Sequence, residues 1–491
     1  MKYPIIFIRA IGKLRILSLV LIVLVSCQSL DEMPPGIATP STFYSTPGQC
    51  EAALAGAMAN LWGWYVSPGY GEGNGFSSYF GNDDQFEGGD LVIPANYGSS
   101  LWTGHYKSIT NINSLLSAIK GGSMSKYPQG QIDEIVAQAK FIRAFNYFYL
   151  VRMFGSLPLI TEDTADPVRT PIATRTPVAG VYALIVSDFT FAMETLPSKT
   201  DLDGSNPGRP TSGAAKGFLA KVYLTMATAP LNDVSKYADA ERLAKEVIDS
   251  GEYGLIPNIW DVFMRDNKYG PETLWSFHST PDDPQTDMNT GKPGEIDGYD
   301  GDLVAINFDT TFADQPRRDA YILRYLMLDG DSVGYRDFST GLPYVRKLYN
   351  EPYISLDENA GGSSADHFIL RYADILLIYA EAANRTHNGP TAEAVDAINA
   401  IIDRANDGTG NEAPATVGMT MQDFEDKVIQ ERSWELCFEL GDRWFDLVRK
   451  RILDVANANT PDALENFSDD DYLFPIPTAD AIFIGQNPGY E

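Results

Sequence analysis

The chain has 491 residues, 44% of them apolar and 21% charged, with 42 Gly and 30 Pro. This is a globular composition with chain enough for a large core, and it excludes a disordered or fibrous protein. Asp and Glu number 66 against 37 Lys and Arg, a net charge of −29; so acidic a surface repels phosphate backbones, which argues against nucleic acid as a partner. Aromatic residues reach 12%, including 26 Tyr, against 4 His. That balance suits neutral, hydroxyl-rich ligands lying on ring faces better than metal coordination.

The first residues read as an address. Lys2, Arg9, Lys13 and Arg15 form a basic stretch without acids, and Ile16 to Val25 is almost wholly apolar. That run is shorter than the roughly 20 residues a bilayer-spanning helix needs, and it has the length of a signal-peptide core. It ends Leu24-Val25-Ser26-Cys27, small residues before a cysteine, as in a bacterial lipobox. Residues 1–26 are therefore expected to be a lipoprotein signal peptide and Cys27 the lipidated N-terminus. Residues 27–47 follow as a tether rich in Pro, Ser, Thr and Gly. The other cysteines, Cys50 and Cys437, have no spacing that demands a disulfide and are expected to stay unpaired.

From residue 48 to 491 helices dominate. Ala52 to Trp62 follows a Thr46-Pro47 start signal. Ile132 to Phe154 places apolar residues at 132, 135, 136, 139, 142, 145, 148, 149 and 153, the pattern of a helix packed on one face. Further helices are expected at Val181–Leu196, Ser212–Thr228, Tyr237–Ser250, Phe368–Asn384, Thr391–Arg404 and Met421–Arg449. Many come as neighbouring pairs joined by short turns, like tetratricopeptide hairpins, although no repeat of about 34 residues recurs. Between them lie irregular stretches at about 63–100, 155–175, 253–365 and 450–491, rich in Gly, Pro, Asp and aromatics. Stretches this long are functional or disordered, and their aromatic content argues for function. No linker divides the chain. The expected fold is mainly α, one large domain of helical hairpins with long ligand-binding loops.

Several segments resemble the SusD/RagB family of outer-membrane nutrient-binding lipoproteins from Bacteroidetes-type bacteria. They are TFYSTPGQCEAALAGAMANLW (42–62), QAKFIRAFNYFYLVRMFGSLPLIT (138–161), GRPTSGAAKGFLAKVYLTMA (208–227), GPETLWSFHS (270–279) and GLPYVRKLY (341–349). FILRYADILLIYAEAANR (368–385), VIQERSWELCFELGDRWFDLVR (428–449), LFPIP (473–477) and QNPGY (486–490) complete the family's order. The resemblance implies a helical scaffold decorated by loops. It also implies a cell-surface lipoprotein that captures oligosaccharide and delivers it to a SusC-like TonB-dependent transporter. Capture of peptides, as in the RagB branch, and a surface glycoside hydrolase are the alternatives.

Enzyme chemistry has little support in the residues. Glu431, Arg432, Glu435, Glu439, Asp442, Arg443 and Asp446 crowd one stretch, and paired carboxylates are a glycosidase's tools. Their spacing instead suggests helix ion pairs: Glu435 with Arg432, Glu439 with Arg443, and Asp446 with Arg443 and Arg449. Arg371, Asp374 and Glu381 are expected to fix helix packing. No HExxH, GxSxG, P-loop or dinucleotide fingerprint occurs, and His105, His278, His367 and His387 stand singly. No catalytic residue, metal or cofactor is expected.

The binding expectation rests on loops. Pyranose rings stack their C–H faces on aromatic planes while their hydroxyls need Asp, Asn or Gln partners. Residues 62–102 hold ten aromatic residues around Asn82-Asp83-Asp84-Gln85, and in the resembled family the ligand face is built partly from the loop after the first helix. Trp62 and Trp102, at helix ends, read as core, and Tyr79 is preferred over Phe80 as the water-tolerant ring. The candidates are Trp64, Tyr70, Phe76, Tyr79, Asp83 and Asp84. A second candidate is Tyr299 in the loop 281–303, whose acids miss the EF-hand spacing for Ca²⁺.

Overall fold

The computed structural model describes residues 43–65, 98–164, 174–202, 204, 207–278, 293–298, 300, 303–347, 366–440, 442–456 and 467–490, apart from the side chains of residues 60 and 62–65. Helix α1 (Pro47–Tyr65) starts where Pro47 presets the first turn and the Thr46 hydroxyl accepts from the Gln49 amide at 3.3 Å. The chain continues through α2 (Ser99–Lys120), α3 (Gln129–Phe154), the antiparallel strands β1 (Leu157–Pro158) and β2 (Arg175–Thr176), α4 (Val178–Thr195), α5 (Ser212–Met226) and α6 (Lys236–Asp249). Each helix packs on its neighbour in chain order, the logic of stacked hairpins. Helix α4 is apolar enough to cross a membrane by length and composition. Here it lies against α3 and α5, burying Val181, Tyr182, Ile185, Phe189 and Ala192.

An irregular region then intervenes. It contains β3 (Thr273–Phe277), α7 (Ile306–Asp309), α8 (Pro316–Tyr321), β4 (Ile322–Leu323), β5 (Tyr325–Leu328), β6 (Asp331–Gly334) and β7 (Tyr344–Val345). Strand β8 (His367–Arg371) leads into α9 (Tyr372–Thr386), α10 (Ala392–Asn406), α11 (Met421–Glu435), α12 (Asp442–Lys450), α13 (Leu453–Ala456) and α14 (Thr478–Ile484). Helix α9 packs on α6, which joins the two helical runs into one scaffold. Residues 44–491 form one compact unit.

Three apolar clusters make the core. The largest runs through the helical scaffold from Cys50 to Ile476. There Phe141 meets Trp275 of β3 edge-on with centroids 4.7 Å apart, and Phe189 stacks on Phe218 at 5.4 Å. A second cluster joins Phe263, Phe308 and Tyr321 of the irregular region to Trp434, Cys437 and Phe438. A third holds Leu326, Tyr335 and Tyr344.

Two expected elements differ. Phe368 to Arg371 opens no helix; it forms β8, antiparallel to β3, with Phe277 opposite His367 and Thr273 opposite Arg371. A short apolar run has no periodicity to separate strand from helix, and a partner strand decided it. Met421–Arg449 is two helices rather than one. The chain turns after Glu435, with Phe438 at φ 62° and Leu440 at φ 37°. The turn follows from the end of α11 meeting buried cations. Lys347 Nζ donates to the carbonyls of Glu435 and Cys437 at 2.6 and 2.9 Å, and Arg371 donates to the Glu435 carbonyl at 2.6 Å.

The break changes the expected ion pairs. Glu435 takes its charge partners from distant chain: Arg371 at 2.8 Å, Arg404 at 2.5 Å and Arg317 at 2.9 Å, with the Tyr321 hydroxyl at 3.0 Å. Glu439 pairs with Arg371 and Lys347. Arg432 bridges Asp374 and Asp446, each at 2.7 Å, and Lys221 reaches Asp374 and Asp442. Arg449 grips Glu381 through two bonds of 2.6 Å. Of the expected local pairs, Asp446 with Arg449 is present at 2.8 Å. The expected role of Asp374 and Glu381 in joining helices holds, since each pairs with a cation from another helix.

Burial raises the Glu435 carboxyl, but Arg404, Arg371, Arg317 and Lys347 outweigh it and leave the group far below the usual range. Glu435→Gln removes the charge that compensates three buried guanidinium groups. It should cost about 3–5 kcal/mol, read as a lower denaturant midpoint; wild-type stability would refute this role. Glu381 gives a pH test. Burial raises its pKa, while Arg449 and Lys450 more than offset that and bring it from 4.5 down to about 2. Its stabilisation is full above the unfolded value of 4.5 and is lost as pH falls through about 2. Acid titration followed by circular dichroism should show stability falling in that window, with a shallower fall in Glu381→Gln.

Candidate ligand-binding site

The aromatic-rich segment between α1 and α2 has well-defined ends. Helix α2 is entered through Gly98 at φ 78°, where an added Cβ would lie 2.8 Å from the Phe474 ring, so both conformation and space call for glycine. Trp102 follows, packed 5.0 Å edge-on against Phe154 and 4.8 Å from Tyr106. It is buried, as its position at a helix start suggested. Trp64 lies in the last turn of α1, and its side chain is outside the described residues. Tyr70, Phe76, Tyr79, Asp83, Asp84 and Tyr299 also lie outside the described residues, as does Cys27. The structure therefore gives the foundations of the first candidate site, not its rings.

Near Tyr299 in the chain, Asp300 and Glu295 are engaged by the protein. Asp300 accepts from the Gly294 amide at 2.6 Å and the Tyr344 hydroxyl at 2.5 Å, and Glu295 accepts from the Ser339 amide at 2.5 Å. Among the described residues no group of three or more His, Cys, Asp or Glu side chains could hold a metal ion. Glu431, Glu435 and Glu439 are buried and bonded to cations, so they face no substrate. His105 is buried against Asn146 at 2.8 Å, and burial pulls its pKa down to about 4. Burial does the same to His367, also to about 4.

A site that the sequence reading missed lies at the carboxyl end of β3. A shallow, solvent-open cleft is lined by Gly208, Arg209, Thr211, Tyr269, Trp275 and His278, among others. Tyr269 is 45% exposed. Its ring leans on the His278 imidazole at 5.0 Å and 41°. Asp366 holds Nδ1 of that imidazole at 2.6 Å, and Nε2 lies 3.3 Å from the Gly208 carbonyl. Only glycine fits at 208, where a Cβ would stand 2.3 Å from the His278 ring. Tyr269 precedes a Gly-Pro turn in a polar segment, and a lone aromatic in such a place is the one signal the sequence carried.

Known proteins match this chain over most of its length. The SusD family model matches residues 325–490, and a second model, described as starch-binding associating with outer membrane, matches 71–224. SusD-like protein P2 of Formosa agariphila is 28% identical, with 96% of this chain and 98% of the relative covered. A SusD-like protein of Bacteroides ovatus is 27% identical, covering 89% and 82%. Among solved structures, a SusD homolog from Bacteroides thetaiotaomicron superposes with a TM-score of 0.76 at 24% identity, covering 92% of this chain and 98% of that one. A laminarin-binding SusD-like protein superposes at 0.71 with 23% identity, covering 90% and 99%. A structure containing xylogluco-oligosaccharide superposes at 0.70 with 21% identity, covering 89% and 97%.

Proposed function

This chain belongs to the SusD/RagB family, and from that premise we propose that it is a non-enzymatic glycan-binding lipoprotein of the outer membrane. It is anchored through Cys27, faces the cell exterior, and hands captured oligosaccharide to a SusC-like TonB-dependent transporter. The observation that carries the reading is the whole-length likeness to proteins that include a laminarin binder and a structure with bound xylogluco-oligosaccharide. The density of rings and amides between α1 and α2 supports it further, because stacking planes and hydroxyl partners occur there together. Residues 1–26 act as the signal peptide and 27–47 as the tether.

In this reading Trp64, Tyr70, Phe76 and Tyr79 stack on sugar rings while Asp83 and Asp84 accept from hydroxyls, and Tyr299 adds a ring from the second loop. Each stacked ring contributes modestly, so several act along one glycan. A glycan and peptide array run side by side tests the ligand class. Binding to peptides alone would favour the peptide-capturing alternative, and sugar released from a bound polysaccharide would reveal a hydrolase.

On the cognate glycan, truncating one contacting ring to Ala should cost about 1–3 kcal/mol of binding, a scale borrowed from bases stacked on aromatic side chains. Replacement by another aromatic should retain most of the affinity, and melting should barely change. Calorimetry paired with thermal melts decides it; four Ala variants that bind normally would move the site elsewhere. For the anchor, Cys27→Ala should fail to incorporate labelled palmitate and should leave the outer-membrane fraction. A variant that still does both refutes the lipid attachment.

A further inference from the structure

The cleft beside β3 has the parts of a sugar platform. Tyr269 is exposed yet braced. His278 supports its ring, Asp366 fixes His278, and Gly208 lets the imidazole lie against the backbone. A ring held this way loses little freedom when a ligand arrives. The cations around the cleft are engaged by the protein: Arg209 meets Glu51 at 3.0 Å, Lys268 lies 3.9 Å from Asp366, and the Lys199 ammonium donates to the Gly270 and Thr273 carbonyls at 2.7 and 3.1 Å. Such a lining offers no surplus charge to an anion and suits a neutral ligand. The shallow floor fits a ring laid across the surface rather than a ligand enclosed.

We propose that this cleft is a second glycan-contacting site, with one neutral pyranose stacked on Tyr269, separate from the segment between α1 and α2. The inference rests on the glycan reading and extends it. The two described ends of that segment lie away from the cleft. Arg209 touches Glu51 near the start of that helix, whereas the ring-bearing segment leaves after Tyr65, about 20 Å further along at 1.5 Å per residue. The segment returns at Gly98 against Phe154 and Phe474, and neither lines the cleft. Two separated contacts on one protein make a long glycan a bivalent ligand. The second contact then forms at high effective concentration, and affinity rises with chain length without any stronger single contact.

The experiment uses the full chain, laminarin and a xylogluco-polysaccharide, and a short and a long oligosaccharide from each, with calorimetry and a thermal melt of every variant. In the wild type the long glycan that binds should do so at least about tenfold more tightly than its short fragment. Tyr269→Ala should erase most of that gain and leave the short fragment's affinity unchanged, while Tyr269→Phe keeps the gain. Should Tyr269→Ala fail to fold, Tyr269→Leu, which retains apolar bulk but no stacking face, carries the test. A folded Ala or Leu variant that binds the long glycan like the wild type overturns the second site and leaves the glycan reading standing. A wild type that binds no carbohydrate, on these probes or on a glycan array, overturns both.

Discussion

A single buried carboxylate, Glu435, receives three guanidinium groups and a phenol, and the arrangement of the chain depends on that meeting. Arg317 and Tyr321 arrive from α8, Arg371 from β8 and Arg404 from α10, and Glu435 itself closes α11. None of these charges would tolerate burial alone, since an ion taken out of water costs several kcal/mol unless matched. Together they oblige the irregular region and the C-terminal helices to dock in one geometry. Glu272 adds a further tie by bonding both Arg371 and Arg404 at 2.7 Å. Apolar packing on Trp434 and Phe438 fills the space around this network, while the charges set its register.

The helical scaffold could be read from the residues because its information is local. The apolar stripe of 132–153 foretold α3, and the Thr46-Pro47 signal foretold the start of α1. What escaped was decided by partners far along the chain. Phe368 to Leu370 became a strand because β3 lay beside it. The stretch after Glu435 turned because Lys347 and Arg371 wait for its carbonyls. The charges of α11 and α12 read as structural, and Asp446 does pair with Arg449, but Glu435 draws its partners from far along the chain. Spacings of three and four suggest local pairs, whereas the guanidinium groups come from 31 to 118 residues away around Glu435. As for the binding site, Trp64, Tyr70, Phe76, Tyr79, Asp83, Asp84 and Tyr299 remain proposals from composition and resemblance. Tyr269 has no periodic neighbour to mark it, and its exposure depends on how His278, Asp366 and Gly208 meet.

Division of labour follows from this construction. The scaffold buries many of its charged groups in shared networks, and ligand-binding residues commonly lie in the connections between such elements. Gly98 shows how tightly a connection is mounted: the chain re-enters α2 through a contact with Phe474, a residue almost 400 positions later. Such a stem fixes where the connection joins the scaffold. One scaffold can then present different faces to different ligands.

The charge network also has a direction in time. Synthesis runs from the N-terminus, so Arg317, Lys347, Arg371 and Arg404 exist before Glu431, Glu435 and Glu439 are made. Of the acids that pair with Arg317, Arg371 and Arg404 among the described residues, Glu272 and Glu412 precede α11. Pairs such as Arg318 with Asp309 can form early, while the part of the network centred on Glu435 waits for the last part of the chain. A fold whose keystone is translated late keeps that part of the chain open until synthesis is nearly complete, from within its own sequence.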